Sequence, residues 1–92
     1  MLRTVRKDNG LLLDFDAEER RVIGIMACNM EESDFAVSAE QIRVILQKSR
    51  HGEVISQREC DKLVGWLKDF KDHNRNFAGI AQRTAFVIEH QI

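Results

Sequence analysis

The sequence predicts an α+β fold: an N-terminal three-stranded antiparallel β-meander over residues 1–29, followed by three helices over residues 38–92 packed on one face of the sheet. Three observations carry this expectation. Asn9-Gly10 marks a tight turn between two apolar segments, because both residues tolerate the positive φ angles of a type I′ hairpin. Arg21–Met26 is a run rich in β-branched side chains. From Ser38 onward, apolar residues recur every three or four positions, which is the period of helices. Proline is absent and no repeat or low-complexity stretch reads as a linker, so the 92 residues are expected to form one domain.

A two-residue turn at Asn9-Gly10 pairs Arg6 with Leu13 and Thr4 with Phe15. Leu2, Leu11, Leu13 and Phe15 then share one face, while Arg3, Val5, Lys7, Asp14 and Asp16 share the other. A second turn at Ala17–Arg20 leads into the third strand, where Gly24 falls opposite Leu13 and suggests a bulge. Ser38-Ala39-Glu40-Gln41 has the form of a capping box and opens a helix to about Lys48, with Gly52 as its breaker. Ser56-Gln57-Arg58-Glu59 is a second such box. The helix it opens carries Cys60, Leu63, Val64, Leu67 and Phe70 on one stripe. The polar run Lys71–Asn76 ends that helix, and Asn76 is placed to cap the last one, which buries Phe77, Ile80, Ala81, Thr84, Val87 and Ile88.

Chemistry is scarce in this chain. Cys28, Cys60, His51, His73 and His90 show no paired spacing of metal ligands, so neither metal nor cofactor is expected. Ser33, Ser38, Ser49 and Ser56 occupy cap or turn contexts, and the five glycines are scattered singly rather than gathered in a phosphate loop. No enzyme is expected. Two cysteines 32 positions apart make no disulfide framework, and the longest apolar runs are far too short to span a membrane. A cytoplasmic setting follows as the expectation.

Net charge is −1, which offers nucleic acid no bulk attraction, although the charge is uneven. Residues 1–39 hold five Lys/Arg against eight Asp/Glu; residues 40–92 hold nine against seven. The basic residues of the second part alternate with acids, and the gap from Lys48 to Ser56 is too long for a helix-turn-helix. Protein interaction is therefore the leading reading: an inhibitor or adaptor, of the kind mobile elements carry against host defence, bound to a larger protein or ribonucleoprotein. A small nucleic-acid-binding regulator using the basic helical half is the alternative. No membrane, small-molecule substrate or generic duplex DNA is expected as a partner, and self-association stays open. The residues assigned to partner binding are Lys62, Trp66, Lys68, Lys71, Arg75, Arg83 and Phe86, since aromatic and arginine side chains off the core stripe dominate interfaces. Asp14, Asp16, Glu18 and Glu19 form an alternative acidic surface on a solvated hairpin edge.

The expected core joins Leu11, Leu13, Phe15, Val22, Ile42, Leu46, Leu63, Leu67, Ile80, Thr84 and Val87. Leu67→Ala is expected to destabilise the fold by about 2–5 kcal/mol, as large-to-small core changes do. An unchanged denaturant midpoint would misplace the stripe.

Overall fold

A computed structural model describes residues 1–91. They form an α+β structure of three short strands and four α-helices, in the order β1 (Arg3–Lys7), β2 (Gly10–Asp14), α1 (Ala17–Glu32), α2 (Ala36–Arg50), β3 (Ile55–Ser56), α3 (Gln57–His73) and α4 (Ala78–Glu89). A 3-10 turn at Arg75–Phe77 precedes α4. The sheet is antiparallel with strand order β1-β2-β3.

The meander expected over residues 1–29 is not what forms. Its third strand is helix α1, and the third strand of the sheet is the two-residue β3, 40 positions later in the chain. Asp16-x-x-Glu19 is the physical reason. Asp16 accepts the Glu19 amide at 2.8 Å and Glu19 accepts the Asp16 amide at 2.8 Å, closing a capping box that starts a helix. Val22, Ile23, Met26 and Ala27 then lie together on one buried face. A run that looks apolar on both sides of a strand is apolar on one side of a helix.

The hairpin keeps its expected faces but not its register. Arg6 pairs with Leu11 and Lys7 with Gly10, so the turn is Asp8-Asn9 and the pairing has moved by two residues. An even shift preserves which side chains point inward. Leu2, Leu11, Leu13 and Phe15 are all buried, whereas Val5 is exposed. Gly10 is needed at the start of β2 and not in the turn: a Cβ there would lie 2.0 Å from the Ile55 carbonyl oxygen, at a φ of +157°. The close passage of β3 demands glycine at this point.

The helix boundaries also differ in places. α2 begins at Ala36 behind Phe35, which makes no side-chain cap, so Ser38 lies inside the helix and does not open it. Asn76 is within the 3-10 turn, and α4 is preceded by Phe77, again with no side-chain cap. α3 starts where expected, on the Ser56–Glu59 capping box. α1 packs chiefly on α2 and α3 on α4, giving two helical hairpins. The apolar residues of both hairpins and of β2 share one buried cluster. Of the expected core, Leu11, Leu13, Phe15, Val22, Ile42, Leu63, Leu67 and Thr84 are buried, while Leu46, Ile80 and Val87 pack against it half-exposed.

Glu19 is only 1% exposed. Its second oxygen accepts the buried Leu2 amide at 2.9 Å, tying the approach to β1 onto the start of α1. Glu19→Ala strands that amide and is expected to cost about 1.5–3 kcal/mol in denaturant unfolding. A loss no larger than an ordinary surface substitution would remove Glu19 from the structural frame.

Two capping carboxylates also set the acid response. Asp16 is held below the ordinary carboxylate range by the Met1 ammonium and then by the Glu19 amide. At Glu59, partial burial pushes the pKa up, but hydrogen bonds from Ser56 and Lys48 outweigh it and the net direction is down. A carboxylate depressed in the folded state stabilises fully above its unfolded pKa and loses that contribution as pH falls. The melting temperature is therefore expected to drop most steeply below about pH 4.5, with a shallower drop in Glu59→Gln. An acid limb identical in that variant would dissociate Glu59 from the effect.

Candidate functional site

A groove of about 520 Å³ lies where the C-terminal half of α1 faces α3. Met26, Asn29 and Met30 of α1 line one side; Trp66, Asp69, Phe70 and His73 of α3 line the other, with Phe35 and Ser38 at the start of α2. A second hollow of about 250 Å³ runs on between α2 and α3, lined by Gln41, Val44 and Ile45 opposite Glu59 and Lys62. Trp66 belongs to both. Glu59, Lys62, Trp66, Asp69 and His73 follow at steps of three and four, so they form one ridge along α3, about 21 Å from end to end.

The groove exists because α2 and α3 are joined at one end and separated at the other. Lys48 Nζ reaches both oxygens of Glu59 at 3.0 Å, beside β3. At the far end α1 turns into α2 through Ser33-Asp34-Phe35, with Asp34 in the left-handed region at φ +67°. That turn presents Phe35 and Val37 to solvent, at 58% and 75% exposure. Large apolar side chains so exposed beside an apolar groove are unusual on a free surface. Nearby charge is mainly acidic: Glu32 and Asp34 are exposed in the turn, while Glu31 is paired with Arg43.

The residues assigned from the sequence are distributed over several surfaces. Lys62 and Trp66 are brought together in the smaller hollow between α2 and α3. Lys68 is two positions from Trp66, on another flank of α3, and pairs with Glu89 of α4 at 2.8 Å. Lys71 is within 3.9 Å of Asp72, and Arg75 is exposed in the 3-10 turn. Phe86 is 60% exposed on the outer side of α4, its ring 4.0 Å from that of His90, with Arg83 one turn earlier. The acidic set is not a solvated edge. Glu19 is buried, and Asp16 is engaged by its own helix and by the Met1 ammonium at 2.7 Å; Asp14 and Glu18 are exposed.

Sequence reasoning passed over Met26, Met30, Phe35 and Val44. Met26 is hidden by reading its segment as strand, while Met30 and Phe35 lie between the expected meander and the first expected helix, where no periodicity points to them.

Ser33, Ser38, Asp69 and His73 all line the groove, so the residue types of a hydrolytic triad are present. His73, however, donates Nδ1–H to the Asp69 backbone carbonyl at 2.8 Å and hydrogen bonds to neither serine. That carbonyl, and then the Asp69 carboxylate, raise the His73 pKa. Cys60 is buried, and desolvation followed by the neighbouring Asp61 and Glu59 charges pushes its thiol up to about 11, the opposite of a reactive cysteine. Among the described residues, no three His, Cys, Asp or Glu side chains gather as metal ligands, and no helix is long and apolar enough to cross a membrane. Comparison with known proteins finds no family model, no curated protein and no solved structure that matches this chain.

Proposed function

We propose that this chain is a small, non-enzymatic protein-interaction module of the inhibitor or adaptor type, which docks an apolar segment of a larger protein or protein–nucleic-acid complex in the groove at Trp66. The observation that carries the reading is the exposed Phe35 set beside a groove lined by Met26, Met30, Trp66 and Phe70. Methionine and aromatic walls adapt to an incoming helix, and a ridge spaced at helical steps suits anchors of the same spacing on the partner. The occupant is an amphipathic helix whose apolar residues enter the groove and whose basic residues meet Glu32 and Asp34. The alternative nucleic-acid reading needs a continuous basic surface, and Lys68 and Lys71 are each set beside a carboxylate.

Panning a displayed library of random peptides against the intact chain tests this. Selected peptides are expected to be amphipathic with Lys or Arg flanks, to shift the emission of Trp66, the one tryptophan of the sequence, and to bind at least about tenfold more weakly to Phe35→Ser, at an unchanged melting temperature. Peptides insensitive to Phe35→Ser but lost with Phe86→Ser would move the contact to α4. Sub-micromolar duplex DNA binding in a gel shift would promote the regulator reading instead.

A further inference from the structure

A different cavity, also of about 520 Å³, lies against the first turns of α1 and is lined by Phe15, Ala17, Arg20, Arg21 and Arg50. Two distant parts of the chain supply its three guanidinium groups. The Ser49 hydroxyl donates to the Leu13 carbonyl, which fastens the last turn of α2 to β2 and leaves Arg50 beside Phe15 and the start of α1. Arg20 and Arg21 come from α1 itself.

These arginines are poorly matched within the protein. Arg21 and Arg50 are exposed, and neither makes an ion pair among the described residues. Arg20 has its Nε buried without a hydrogen-bond partner, and a different nitrogen of the same guanidinium, Nη2, stands 3.7 Å from Asp14. The Nη2–Asp14 contact is an ion pair too long for a hydrogen bond, so the buried Nε–H is left without the partner such a donor normally has. Of the other acids close by, Asp16 is already occupied by the Glu19 amide and the Met1 ammonium, and Glu18 is exposed in the same turn of α1. Three cations against Asp14 and Glu18 leave the site net positive.

We infer that Arg20, Arg21 and Arg50 form a binding site for a phosphate dianion, free or at the end of a small molecule such as a nucleotide. Planar guanidinium groups suit phosphate oxygens, which they can hold in parallel pairs of hydrogen bonds, and the dianion draws on all three cations at once. The site is separate from the groove and does not depend on the proposed function.

The test is an NMR titration of the full chain with inorganic phosphate and, separately, with ATP, following the arginine Nε–H signals. Acetate and chloride at equal ionic strength serve as controls. Phosphate is expected to saturate with a shift of the Arg20 Nε–H signal, and Arg50→Gln, at an exposed position, to weaken it about tenfold. Lys68→Gln, a basic residue elsewhere, is expected to change nothing. Tighter ATP binding lost in the same Arg50 variant identifies a nucleotide tail as the source; equal affinity identifies free phosphate. Non-saturating shifts shared with chloride, acetate binding as tightly as phosphate, or full affinity in Arg50→Gln would each overturn the site. So would binding of duplex DNA with no saturation by either small phosphate.

Discussion

The Glu19 carboxylate is buried, with one oxygen on the Asp16 amide and the other on the Leu2 amide. A buried carboxylate persists only when its acceptor sites are filled, and a buried amide is costly when left alone. Each partner therefore holds the other in place. The consequence is topological: residues before β1, after β2 and at the start of α1 are brought to a single point. Leu2 is buried because of it, and the hairpin is anchored to α1 at the end away from its turn. The Met1 ammonium on Asp16 adds an exposed ion pair to the same knot, a weaker contribution in water.

Glu59 repeats this arrangement in the other half of the chain. It sits at the third position of its helix, accepts the Ser56 amide, and extends to a distant partner, Lys48 at the end of α2. Both capping boxes thus join a helix start to tertiary structure. The α1–α2 and α3–α4 hairpins meet chiefly where α1 packs on α4 and α3, and Glu59 adds a tie from the start of α3 to the end of α2 at Lys48, beside the short β3. The two-residue β3 meets β2 at the glycine that lets its backbone approach. Beyond that tie α2 and α3 stand apart, and the groove with Trp66 on its wall lies between α3, the later turns of α1 and the start of α2.

Local chemistry explains which features were legible in the sequence. The hairpin faces, the α3 capping box and stripe, and the exposure of Phe86 follow from alternation, helical spacing and one recognisable box, none of which needs distant contacts. The meander failed at residues 17–32 because β-branched Val22, Ile23 and Ile25 and the interior Gly24 weigh against helix in any propensity argument. The Asp16–Glu19 box and the burial of Val22, Ile23, Met26 and Ala27 against α2 override that preference. The hairpin register was set by a strand 40 residues away that no short-range pattern contains. The groove was invisible for a related reason. It is made of residues such as Phe35 and Val44 that carry no motif and acquire meaning only when two hairpins are laid side by side. The three arginines of the second cavity likewise belong to segments 30 residues apart.

α1 contributes to both concavities. Its first turns give Ala17, Arg20 and Arg21 to the arginine cavity, and its later turns give Met26, Asn29 and Met30 to the groove. A 16-residue helix is about 24 Å long, so the two sites lie toward opposite ends of one rigid rod. Coupling between them would require an element with two alternative arrangements that both sites bias. α1 offers none. Its start is held by the Glu19 knot and its end by the turn in which Phe35 donates its amide to the Met30 carbonyl at 2.8 Å, while four apolar residues between are fixed in the shared core. Moving α1 to transmit a signal would break a buried carboxylate's hydrogen bonds or open the core, each costly on the scale of the stability of a small domain. The two proposed sites are therefore independent features of one frame: an apolar groove whose occupancy Trp66 would report, and an arginine cavity whose occupancy Arg20 would report.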